Sequence, residues 1–175
     1  MKIKITIFLA LLIGNTAYCQ WDYIIDFDSQ YSLNDKIIID TISNPDNIWQ
    51  IGVPSKTVFD SAYSATHAIV TDTLNSYPAK DTSSFIIKHI RPGNSGGNYS
   101  LQLNFWFKMN TDSLTDFGIV EASIDYGLTW INLLTEDIIY NFQWLEPKPV
   151  LTGNSNGWEH FSLELSMLTY ELVLS

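Results

Sequence analysis

From residue 99 to residue 109, apolar and polar side chains alternate, and this run constrains the fold more than any other part of the chain. Tyr99, Leu101, Leu103, Phe105, Phe107 and Met109 fall on one side of an extended backbone. Ser100, Gln102, Asn104 and Lys108 fall on the other, and Trp106 is the exception among them. A period of two over this length is a long, half-buried β-strand, because successive strand side chains point to opposite faces. Phe161, Leu163 and Leu165 alternate with His160, Ser162 and Glu164 in the same way. Val120, Ala122 and Ile124 share one side of a strand expected over 117–124.

Shorter β-rich runs are expected at 23–27, 37–39, 48–51, 67–71, 84–90, 130–134 and 170–174. Turn-forming clusters at 43–47, 91–98, 110–113 and 152–157 punctuate them. Leu145-Glu-Pro-Lys-Pro149 excludes a helix there, and no helical periodicity is present elsewhere in the mature part. Many short strands separated by Gly/Asn turns predict an all-β fold, a two-sheet antiparallel β-sandwich of the jelly-roll kind.

The N-terminus sets the destination. Lys2 and Lys4 precede an apolar run over 5–13, and a small, polar stretch over 15–20 follows. That order is a secretory signal peptide, residues 1–19, with cleavage expected between Cys19 and Gln20. The apolar run is too short to anchor in a bilayer, so no transmembrane segment is expected after cleavage. A lipidated Cys19 would call for a small residue before it and an aliphatic one three before. Tyr18 and Thr16 stand there instead, so lipoprotein processing is not expected. The expected address is secreted, extracellular or cell-surface, or the periplasm if no further export signal acts.

Residues 20–175 then form a single domain without internal repeat or linker. They contain no cysteine, so the fold must stand on its core without disulfides. An apolar content of 46% and an aromatic content of 14% supply that core. Loss of Lys2 and Lys4 takes the formal charge from −10 to −12, and Arg91 is the sole arginine. Nucleic acid and anionic membranes are poor partners for such a surface, and neither is expected. Solubility is the plainest reason for the charge; calcium held by some of the carboxylates is the sharper one.

Ser123-Ile-Asp125-Tyr-Gly127-Leu-Thr129-Trp130 matches the S-x-D-x-G-x-T-W pattern of an Asp-box. Asp125 can accept backbone N–H bonds across a tight turn, and Gly127 supplies a positive φ. Thr129 restarts the strand, and Trp130 folds back over the hairpin. Sialidases carry this box repeatedly on propeller blades, and those known grip their substrate with an arginine triad. A single box and a single arginine oppose that reading, so the box is a structural turn.

Around this box a wider order falls into place. It runs Trp49-Gln-Ile-Gly-Val-Pro54, then Ala62-Tyr-Ser-Ala-Thr-His-Ala-Ile-Val-Thr-Asp72, Tyr77-Pro and Ser83-Ser-Phe-Ile-Ile87. Leu101-Gln-Leu-Asn-Phe-Trp106, the box itself and Gly157-Trp-Glu-His-Phe-Ser-Leu-Glu-Leu165 follow. The order resembles the MAM-like, concanavalin A-like jelly-roll modules of secreted Bacteroidetes-type proteins, including those beside immune-inhibitor-A-type peptidases. The resemblance covers about residues 27–165. It implies a double-sheet fold and an adhesive or accessory role without catalysis. Such modules continue past the strand at Trp158 and often precede a type IX sorting domain. A C-terminally truncated domain, lacking its last strand or strands, is therefore expected. A fragment of a larger type IX-secreted protein with no activity of its own is the alternative.

Catalytic constellations are lacking. His67, His89 and His160 lie on separate expected strands and show no metal-binding spacing. Glu121 and Asp125 stand at the wrong spacing for the E-x-D-x-x-E strand of laminarinase-like glycosidases, which leaves a hydrolase a remote alternative. Jelly rolls of the resembled kind often hold a cation near the N-terminal strand, which makes Asp26, Asp28 and Asp72 the candidates for a structural calcium. Solvated strand-end carboxylates are the simpler account of the three. For ligand binding, Trp106, Tyr77 and Tyr126 are the candidates, because exposed aromatics stack on sugars or fill protein interfaces. For Trp106, burial under a loop or in a second layer is the competing reading. The expected partners are a glycan or an extracellular protein.

Overall fold

The structure is a computed structural model that describes residues 24–29, 36–64, 66–89, 99–123, 125–135, 142–167 and 172–174. The expected signal peptide and Cys19 lie outside these residues, as does the turn cluster at 91–98.

Among the described residues the fold is all β, without a helix. Ten strands run in chain order: β1 (Ile37–Ile38), β2 (Trp49–Gly52), β3 (Ala68–Thr71), β4 (Ile86–His89), β5 (Tyr99–Phe107), β6 (Glu121–Ser123), β7 (Ile131–Asn132), β8 (Phe142–Trp144), β9 (Glu159–Met167) and β10 (Leu172–Leu174). They form three antiparallel sheets: five strands in the order β1-β4-β10-β6-β7, three in the order β5-β9-β8, and the hairpin pair β2-β3.

The two longest strands carry the frame. β5 and β9 pair along their full length, from Tyr99 opposite Met167 to Phe107 opposite Glu159. The register sets Leu101, Leu103 and Phe105 directly against Leu165, Leu163 and Phe161, and β8 lays Phe142 and Trp144 beside Leu165 and Leu163. Phe105 stacks on Phe161 at 4.1 Å between ring centroids, and Trp144 meets Phe161 edge-on at 4.8 Å. Such facing pairs are the stabilising unit of a sheet. Phe161, Leu163 and Leu165 are buried together with Val120, Ala122 and Leu133 of the β6–β7 region, and Ile87 and Ile131 pack against them. The core thus draws on both the three-stranded and the five-stranded sheet. Each fully buried large apolar side chain contributes about 1.5–3 kcal/mol.

Three local expectations change. Residues 24–29 form no strand: the Asp26 carboxylate accepts the backbone N–H groups of Asp28 and Ser29, and Phe27 has φ 58°. A short polar side chain that captures its own following backbone competes with sheet pairing, and here it prevails over the β-prone composition. In 117–124 the described strand is confined to Glu121–Ser123, while Phe117 makes a lone bridge to Thr152. In 130–134 pairing ends at Asn132, whose side-chain carbonyl accepts the N–H of Leu134 and turns the chain. β8 is an additional strand that the sequence pattern did not announce.

β10 lies inside the five-stranded sheet, with Val173 opposite Lys88 of β4 on one side and Ser123 of β6 on the other. It joins the β1-β4 half of that sheet to the β6-β7 half.

Candidate functional site

The Asp-box closes the β6–β7 hairpin. Asp125 and Leu128 bracket its turn, the Leu128 N–H bonding the Asp125 carbonyl at 3.3 Å. Tyr126 and Gly127 between them have φ 62° and 83°. Two positive φ values match a hairpin turn to the right-handed twist of its strands. Ser123 is 0% exposed, yet its hydroxyl is satisfied: Oγ accepts the Gly127 N–H at 2.7 Å and donates to Asp125 Oδ1 at 2.8 Å. Asp125 also accepts the Thr129 N–H at 2.8 Å and the Thr129 hydroxyl at 2.5 Å. Those two bonds from Thr129 hold the Asp125 carboxyl below the usual carboxylate range. A Cβ on Gly127 would lie 3.5 Å from the Trp130 indole, so that ring does fold over the turn. Pairing resumes at Ile131, two residues after Thr129. Asp125 is occupied by the turn throughout.

The calcium candidates are not gathered. Asp26 caps its own turn, and the Asp28 carboxylate pairs with His67 Nδ1. Asp72 accepts the N–H groups of Leu74 and Asn75 at 2.8 and 3.0 Å, which lowers its pKa. His67 and Asp72 flank β3 at opposite ends, about 16 Å apart along an extended chain. Among the described residues, no group of three or more His, Cys, Asp or Glu side chains is placed to hold a metal ion.

The aromatic candidates separate. Tyr77 donates its hydroxyl to Asp116 at 2.7 Å, a bond that raises its pKa and ties it to another loop. Tyr126 is 64% exposed at the tip of the Asp-box hairpin. Trp106 belongs to a cluster. It stacks on Tyr63 at 4.2 Å and 11°, Tyr63 meets Trp158 edge-on at 5.7 Å, and Trp106 lies 4.9 Å from the His160 ring. Tyr63 and Trp106 nevertheless remain 48% and 41% exposed. A loop residue, Tyr63, thus covers one face of Trp106, and the cover is partial.

Strand register builds the surface around this cluster. Opposite the core, β5 and β9 present the pairs Trp106/His160, Asn104/Ser162 and Gln102/Glu164, and β8 adds Gln143 beside Glu164. Ser162 is 5% exposed; it donates to Asn104 Oδ1 at 2.8 Å and accepts from Gln102 Nε2 at 3.4 Å. His160 Nδ1 meets both carboxylate oxygens of Glu146 at 2.9 Å. Beyond His160 lies a cleft of about 350 Å³, whose lining includes Lys148, Asn154, Ser155 and Glu159. That volume is at the small end of the roughly 300–1,000 Å³ of small-molecule sites.

Sequence reasoning found Trp106 and missed Tyr63, Trp158, His160 and Glu146. Trp106 and His160 both fall on the polar phase of their strands, and that shared phase was the available signal. The loop positions of Tyr63 and Glu146 left no periodic trace.

No family model matches the chain, and neither a curated protein nor a solved structure was found to match it.

Proposed function

We propose that this chain is an exported, non-catalytic binding module of the MAM-like jelly-roll kind, acting in adhesion or as an accessory domain outside the cell. In this reading the five-stranded and three-stranded sheets are the two layers of the sandwich. The shared core, to which Ile87, Ala122 and Ile131 contribute from one sheet and Phe161, Leu163 and Leu165 from the other, supports that arrangement. The observation that carries the functional reading is the half-exposed Tyr63–Trp106 stack on the polar face of β5 and β9. The two rings stack on one another yet leave about half of their surface in water, and exposed aromatic clusters of this kind mark recognition sites.

The Asp125 carboxylate is consumed by its own turn. The test is to screen the purified domain on a broad glycan array and, in parallel, to cross-link it to intact cells and to extracellular matrix proteins. Specific retention in either arm supports the reading. Absence of any saturable ligand in both arms overturns it.

A further inference from the structure

The outer face of β5-β9-β8 carries more than an aromatic patch. Along β5, Trp106, Asn104 and Gln102 stand two residues apart, so the row spans about 13 Å. This is longer than one pyranose ring. The row begins at the Tyr63–Trp106 stack, against which Trp158 and His160 pack. It continues over two side-chain amides, both exposed. The bonds of Gln102 Nε2 to Asn104 and Ser162 are each 3.4 Å, at the weak limit. Among the described residues the Asn104 Nδ2 and Gln102 Oε1 atoms hold no protein partner. The face therefore offers both donors and acceptors laid out in a line beside a stacking platform.

Charge narrows the ligand. Glu146 and Glu164 border the row, Glu159 lines the adjoining cleft, and Lys148 spends a hydrogen bond of 2.9 Å on the Leu134 carbonyl. The whole chain carries a net charge of −10. Uronate, sulfated or sialylated chains would bring like charge to this surface, and like charge disfavours encounter as well as binding. A protein partner would be met by a flat apolar core with a polar rim. Here the rings lie at one end and amides fill the middle, which suits hydroxyl groups in series. The extended row suits a chain of sugars lying along β5 better than a single enclosed one.

We propose that the outer face of β5-β9-β8 binds a neutral oligosaccharide. One pyranose stacks on the outer face of the half-exposed Tyr63 ring, which Trp106 backs, and further units lie along Asn104 and Gln102. The His160–Glu146 pair braces the platform end. The proposal rests on the binding-module reading and adds to it the ligand class and the place.

Isothermal titration calorimetry of the 20–175 chain tests it. The probes are cellohexaose, laminarihexaose, mannohexaose and chitohexaose, with a galacturonate hexamer as the acidic counterpart. At least one neutral hexamer is expected to bind saturably and the galacturonate hexamer not to bind. Trp106→Ala and Tyr63→Ala are each expected to weaken binding about tenfold, in line with the worth of one aromatic contact. Asn104→Ala is expected to weaken it about threefold. Leu128→Ser, at an exposed position in the Asp-box turn, is expected to leave it unchanged. Thermal melts of each variant confirm that exposed substitutions leave the fold intact. Preference for the acidic hexamer, or binding of a neutral one that Trp106→Ala and Tyr63→Ala leave untouched, overturns the site while a binding module still stands. Failure of all five hexamers overturns this proposal, and the array and cross-linking arms described above then decide separately on the binding-module reading.

Discussion

Replacing Ser123 by alanine removes a hydroxyl that is wholly inside the protein and takes part in three hydrogen bonds of the Asp-box. The strongest is the bond from Gly127 N–H at 2.7 Å; the bond from Asp125 N–H is 3.4 Å and weak. Alanine leaves the Gly127 N–H against a methyl group. A buried donor without a partner costs about 1–3 kcal/mol. Gly127 is only half buried, so water relieves part of that, and the expected loss is about 1–2 kcal/mol. For a domain of this size that lowers Tm by roughly 2–8 °C. Urea denaturation followed by tryptophan fluorescence measures it, with Trp130 over Gly127 as a reporter beside the lesion. The midpoint should fall while the slope stays constant. Ser84→Ala, at an exposed position, should shift the midpoint by no more than about 0.5 kcal/mol. Combining Ser123→Ala with Thr129→Val should cost less than the sum of the two, since both partners meet on Asp125. If Ser123→Ala is as stable as the parent, the hydroxyl does not hold the turn and the reasoning fails.

Three further outcomes follow from the same structure. Asp40, Asp72 and Asp125 are held below their ordinary value of 3.8 chiefly by hydrogen bonds, from backbone N–H groups at Asp40 and Asp72 and from Thr129 at Asp125. Depressed folded-state values mean that their contribution is complete above about pH 4 and is lost as pH falls through the lowered values. Melts from pH 7 to pH 2 should therefore be flat with respect to these groups until about pH 4 and decline below it, and a decline that these three carry near pH 6 would contradict the assignment. Phe161→Ala empties the centre of the core between Phe105 and Trp144 and should cost about 3–5 kcal/mol, read as a large fall in urea midpoint. Val173→Pro removes a backbone donor from the interior strand of the five-stranded sheet and should abolish cooperative unfolding by circular dichroism; a sharp, parent-like transition would show that β10 is dispensable.

The strands that carry the frame were legible because they bury one face. Residues 101–107 and 161–165 keep their phase over enough positions for burial to leave a periodic imprint, and both lie within single unbroken strands of the structure. The Asp-box was legible for a different reason: its geometry is local, and Ser123, Asp125, Gly127 and Thr129 meet within seven residues. Register was not legible. Nothing in the sequence fixes Trp106 opposite His160, and without that pairing the aromatic platform cannot be assembled. Tyr63 reaches Trp106 from a loop, a contact that no periodicity encodes. The residues at 24–27 misled because their β-branched and aromatic character outweighs, in a pattern reading, the one carboxylate that captures the backbone. β8 escaped because three residues ahead of a proline-rich stretch are too few to alternate visibly.

The central claim is that recognition takes place on the outer face of β5-β9-β8, at the Trp106 cluster. Two-dimensional NMR of the tryptophan indole N–H groups, titrated with whichever neutral hexasaccharide binds, tests it most directly. The account predicts that the Trp106 and Trp158 resonances move and saturate together, while those of Trp130 over the Asp-box turn and of Trp144, packed against the core, stay in place. Saturable shifts confined to Trp130 or Trp144, or binding with none of the six indoles perturbed, would contradict it.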